Sequence, residues 1–136
     1  MKKLLAALFL LCFAATAAAQ LSIEITGAGA QRIPIAIVPF AGEGALAPAS
    51  AQTVSAIVRS DLERSGLFRT LNVPVANPPL TEGSPVNYAD WRARQADAVV
   101  LGSVAARPDG RFEVRFKLFD AVKGADLSGV AFTLSR

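Results

Sequence analysis

The sequence predicts an α/β (α+β) domain: a mixed β-sheet of about five strands with two helices packed on one face, preceded by a mobile amino-terminal strand. Three observations carry this. Two nearly continuous aliphatic runs, Ile33–Val38 and Ala98–Val104, have the length and β-branched content of strands buried on both faces. Apolar residues at helical spacing fill part of the chain between them. Further on, Arg111–Leu118 alternates charged and apolar residues, the pattern of a strand with one solvated face.

Taken in order, Lys2 and Lys3 precede an apolar run from Leu4 to Phe13 and a small-residue stretch ending Ala17-Ala18-Ala19-Gln20. A positive end, an apolar middle and an A-x-A site describe a cleavable export signal, residues 1–19, cut between Ala19 and Gln20 with Ala17 and Ala19 as the small recognition residues. The run from Leu4 to Ala19 falls short of the roughly 20 residues a membrane-spanning helix needs. Cys12 is preceded by Leu11 rather than a small residue, which argues against a lipidation site there.

Leu21-Ser22-Ile23-Glu24-Ile25-Thr26 then alternates with period two, placing Leu21, Ile23 and Ile25 on one face of a strand. Gly27 and Gly29 make a pliable tether behind it. Ile33–Val38 follows, with Pro34 confined to the strand's first positions. After a Gly- and Pro-punctuated stretch, Ser50 is placed to cap a helix whose Val54, Ile57, Val58 and Leu62 form one stripe. Gly66 suits the left-handed end of that helix, before a short strand Leu67–Leu71. Strand, helix, strand implies a right-handed crossover and parallel neighbours.

Val73–Pro85 carries four prolines and reads as a surface loop. Asn87 caps a short helix to Gln95, anchored by Trp91. Ala98–Val104 is the second buried strand, and Arg107-Pro108-Asp109-Gly110 is a turn that must open a hairpin. Phe112, Val114, Phe116 and Leu118 face the core. A loop at Lys123-Gly124 leads to a last strand, Leu127–Ser135, with Val130, Phe132 and Leu134 facing one way.

Composition then limits the chemistry. The formal charge of +3 includes Lys2 and Lys3, so +1 remains after cleavage, with Arg and Lys interleaved among Asp and Glu. That excludes the one-sided basic face that nucleic acid requires. There is no histidine, and the only cysteine lies in the signal, which removes the usual zinc ligands and nucleophile–base pairs. Asp61 and Glu63 lie two apart on a helix and point in different directions. Gly42-Glu43-Gly44 lacks the Lys-Ser/Thr of a phosphate loop. No catalytic residue, cofactor, metal or small-molecule substrate is expected, and no disulfide is available to staple the fold.

The order of segments resembles the amino-terminal domain of the TolB family, the periplasmic component of the Tol-Pal envelope system. The resembling pieces are Leu21–Thr26, Ile33–Phe40, Val58-Arg59-Ser60-Asp61-Leu62-Glu63-Arg64-Ser65-Gly66-Leu67-Phe68, Asp90-Trp91-Arg92 and Ala96–Gly102. The resemblance implies a periplasmic interaction domain over residues 27–136, peripheral to membranes and serving outer-membrane integrity, cell division and colicin import. It also implies that Gln20, Leu21, Ser22, Ile23, Glu24, Ile25 and Thr26 form a strand that binds a TolA-type inner-membrane protein. Family members continue through a further helix into a β-propeller, which is what binds a Pal-type lipoprotein. Neither is expected within residues 1–136, so an exposed apolar patch is expected where that helix would dock. The alternative is an accessory domain of the curli-secretion or peptidoglycan-synthase-activator kind, whose members carry a lipidated cysteine where Gln20 stands here.

Overall fold

The structure, a computed structural model, describes residues 31–135. Its elements are β1 (Ile33–Ile37), β2 (Ala41–Glu43), α1 (Pro48–Arg64), β3 (Phe68–Leu71), α2 (Tyr88–Ala93), β4 (Ala98–Ala106), β5 (Phe112–Asp120) and β6 (Ala125–Leu134). They form one mixed sheet in the order β3-β1-β4-β5-β6, with the short β2 also paired to β4. β1 is parallel to both β3 and β4, as the crossover argument requires. β4, β5 and β6 make the antiparallel meander, opened by the Arg107–Gly110 turn.

β2 was not anticipated, and its cause is local. Pro39 interrupts the run that begins at Ile33, and the chain resumes alongside β4 at Ala41, with three residues between the two strands. The interruption leaves backbone groups that need partners. α1 supplies them: the Phe40 N–H donates to Ser55 Oγ at 3.2 Å, and Arg59 Nη2 donates to the Ile37 carbonyl at 3.1 Å. Phe40 then folds its ring over Gly102, where a Cβ would lie 2.9 Å from the ring and 2.8 Å from the Arg115 carbonyl. Only glycine admits that approach.

Two helix boundaries differ from the pattern reading. Ser50 is not the cap of α1: Pro48 presets the first turn, so the helix starts earlier, Ala47 takes the cap position, and the Ser50 N–H bonds the Ala47 carbonyl at 3.0 Å. α2 is capped as expected, with Asn87 Oδ1 accepting from the Asp90 N–H at 3.3 Å. It stops at Ala93, however, because Gln95 takes a left-handed φ of 63° that turns the chain into β4. Gly66 has the expected left-handed φ, 74°.

The helices do not share a face of the sheet. Side chains alternate along β1 and β4, so Ala36, Val38, Val99 and Leu101 point one way with Trp91 of α2, Phe119 and Ala121. Ile35, Ile37, Val100 and Val104 point the other way with Ala51, Val54, Val58 and Leu62 of α1. The expectation of two helices on one face fails because strands buried on both faces need cover on both. Within the α1 stripe, Ile57 turns outward and is 56% exposed.

Candidate functional site

The sequence-predicted residues, Gln20–Thr26 with the cleavage-site residues Ala17 and Ala19, lie outside the described residues. The structure does show where that segment joins the fold. The Ile33 N–H donates to the Leu67 carbonyl at 2.9 Å, which fixes the start of β1. Ile33 also lines an apolar concavity, so β1 begins at the mouth of that concavity.

The concavity is an apolar groove of about 650 Å³ on the α1 face. α1 crosses β1 and β3, and on that side Phe116 and Leu118 of β5 are only partly buried, although Val114 farther along β5 is covered. Ile35 and Val100 form the floor, Val58 and Leu62 of α1 one wall, and Phe116 and Leu118 of β5 the other. The groove exists because α1 is a single helix on a face wide enough for two, at the roughly 10 Å width of a packed helix. Asp97 and Asp120 stand at one end of it and are its charged lining. Beyond its open side, β6 turns Val130, Phe132 and Leu134 toward solvent, each between 40% and 44% exposed. Phe132 packs edge-on against Phe116, with ring centroids 6.2 Å apart.

A polar cluster occupies the opposite face, at the end of the sheet beyond Leu101. Arg115 of β5 bonds Glu43 of β2 and places its Nε 3.1 Å from Glu82 Oε1. That Nε lies off the N–H axis, so the contact is an ion pair rather than a hydrogen bond. The fully buried Ser103 donates to Glu82 Oε2 at 2.7 Å. The cluster ties the proline-rich loop and β2 to the meander. No sequence signal found it, because Glu43 and Arg115 are 72 residues apart and meet only through the sheet register.

Among the described residues, three groups have displaced ionisation. The Asp109 carboxyl lies below its usual range because the Arg111 side chain and backbone both donate to it; the Arg111 pKa is raised by the same side-chain hydrogen bond. Tyr88 is raised by desolvation and by its hydrogen bond to Asp126, 3.2 Å away. Among the described residues there is no group of three or more His, Cys, Asp or Glu that could hold a metal ion. No helix among them is long and apolar enough to cross a membrane.

An apolar groove beside a meander, with its carboxylates at one end or paired with arginine, describes a protein-interaction module. The chain belongs to the TolB amino-terminal domain family, whose profile matches residues 21–127. It is 51% identical over 122 residues to the Tol-Pal system protein TolB of Dechloromonas aromatica, covering 90% of this chain and 27% of that protein. It is 47% identical over 132 residues to the Tol-Pal system protein TolB of Bordetella avium, covering 93% and 29%. The crystal structure of TolB from Acinetobacter baumannii superposes with a TM-score of 0.56 at 32% identity, covering 83% of this chain and 25% of that one. The chain thus spans less than a third of the length of these relatives. Family membership places it in the periplasm of a Gram-negative envelope.

Proposed function

We propose that the chain is an interaction component of the Tol-Pal system in which Gln20–Thr26 binds a TolA-type inner-membrane protein by adding a strand to the partner's sheet edge. The observation that carries this reading is the alternation of Leu21, Ile23 and Ile25 in a segment that joins the domain at an exposed rim. Backbone hydrogen bonds would supply affinity at about 1 kcal/mol each. The three aliphatic side chains would fix register, since a slip of one residue turns all of them to the wrong face. Ordering and association offset much of the gain, so binding is weak and reversible. In the same reading, cleavage after Ala19 frees the end of the strand, and a Pal-type lipoprotein binds only through a propeller outside residues 1–136.

The groove on the α1 face has a place in this proposal as the seat of the further helix that the family resemblance implies. Its shape supports that use: an apolar trough parallel to one helix, with two carboxylates at one end, suits an apolar stripe ending in Lys or Arg. The test of the main reading is capture of a TolA carboxy-terminal domain by the exported chain. Deleting Leu21–Thr26 should abolish capture, and capture that survives the deletion overturns the proposal.

A further inference from the structure

The two edges of the sheet are defended unequally. β3, at one edge, has four residues, carries Arg69, and has Thr70 bonded to Glu63 of α1, which hangs over it. These are ordinary protections against further pairing. β6, at the other edge, has ten residues, nine of them exposed. It contains no proline, lysine or arginine, and its one charged residue, Asp126, stands near its start. Among the described residues its backbone pairs only with β5, so a full row of N–H and C=O groups faces outward. A long, apolar, unprotected edge is a template for another strand.

We propose that β6 pairs antiparallel with β6 of a second copy of this chain, about a two-fold axis normal to the sheet. The choice of a second copy rests on self-complementarity. Across such an axis a strand meets its own sequence, so any central charge would oppose its like. From Leu127 to Leu134 there is none. The axis also keeps every side chain on its own face, which allows only registers in which opposed residues share that face. Centring on Ala131 opposes Val130 to Phe132 and Ser128 to Leu134, all on the α1 side. The pair then covers flanks of Val130, Phe132 and Leu134 that a lone strand leaves wet. A helix seated in the groove would lie over the face and leave these backbone groups free, so this inference stands apart from the function proposed above. One strand pair is a small interface, and the expected dissociation constant is in the micromolar range.

Sedimentation velocity of the exported chain across that range is expected to show a monomer–dimer equilibrium. Ala131 is exposed on the α2 side of the sheet and lies on the axis in that register. Ala131→Lys and Ala131→Glu, each alone, should weaken dimerisation at least tenfold through like charges, and an equimolar mixture of the two should restore it. The near-isosteric Ala131→Cys, in an exported chain with no other cysteine, should be joined to its copy by a short thiol cross-linker. A wild-type chain that stays monomeric overturns the proposal. So do charge variants that dimerise like wild type, folded variants whose mixture does not associate, or a cysteine variant that resists cross-linking where wild type dimerises.

Discussion

The two faces of this sheet receive helices of very different length, and the shorter helix closes its face better. α2 has six residues, yet Trp91 is buried to 9% exposure over Ala36, Val99 and Leu101, and the proline-rich loop brings Leu80 and Val86 against the same cluster. Arg94 covers the outer side of the Trp91 ring at 5.3 Å, and Arg92 Nη1 holds the Ala121 carbonyl at 3.0 Å. α1 has seventeen residues and buries only Ala51 and Ser55 outright, leaving a groove of about 650 Å³ beside it. Closure therefore depends on side-chain volume and on accessory loops rather than on helix length. Trp91 and the loop seal the α2 face, whereas the α1 face keeps an open apolar groove beside its buried cluster.

This contrast can be broken most directly at Trp91. Trp91→Ala leaves a large void among residues already in place and should cost about 3–5 kcal/mol, read as a shift of the urea unfolding midpoint. Gly102→Ala attacks the opposite face where strand and ring approach most closely, driving a Cβ against Phe40 and the Arg115 carbonyl. It should cost about 1–3 kcal/mol by overpacking. Ser103→Ala should cost about 1.5–3 kcal/mol, because it removes a buried hydrogen bond to the Glu82 carboxylate and loosens the loop that helps to close the α2 face. Leu62→Ala, in the wall of the open groove, should cost less than about 1.5 kcal/mol since part of that side chain is already solvated. Its clearer effect should be on an apolar fluorescent dye: wild type binds the dye in the native state, and the variant binds it more weakly. Equal costs for Trp91→Ala and Leu62→Ala would show that the two faces are not closed to different degrees.

What the sequence revealed follows the same division. Period-two alternation identified β5 and put Phe112, Val114, Phe116 and Leu118 on one face, and the aliphatic runs identified β1 and β4. The Asn87 cap and the left-handed Gly66 were legible because each rests on one residue's local chemistry. The assignment of helices to faces was not legible, since a strand apolar on both sides does not say which helix takes which side. β2 was hidden by the Pro39 interruption, whose repair by Ser55 and Arg59 is a tertiary event. The groove was not legible, because its floor and its terminal carboxylates required the β1–β4 register. The Arg115 cluster depends on that register as well, which is why no short-range spacing announced it.

The smallest expected effect lies at the hairpin turn, far from both faces. Asp109 accepts from the Arg111 N–H at 3.1 Å and from Arg111 Nε at 2.8 Å, and its carboxyl ionises below the usual range as a result. A group whose pKa is lowered on folding adds stability above its unfolded value, about pH 4, and that addition is lost as the pH falls through the lowered folded value. Solvent screens the contact, so the effect is a slight one on the steepness of acid unfolding. Asp109→Asn should flatten that dependence without moving the unfolding midpoint near neutral pH by more than a small fraction of the Trp91→Ala shift. A large loss at neutral pH would mean that the turn, rather than the α2 face, governs the meander, and the division of labour between the faces would have to be redrawn around it.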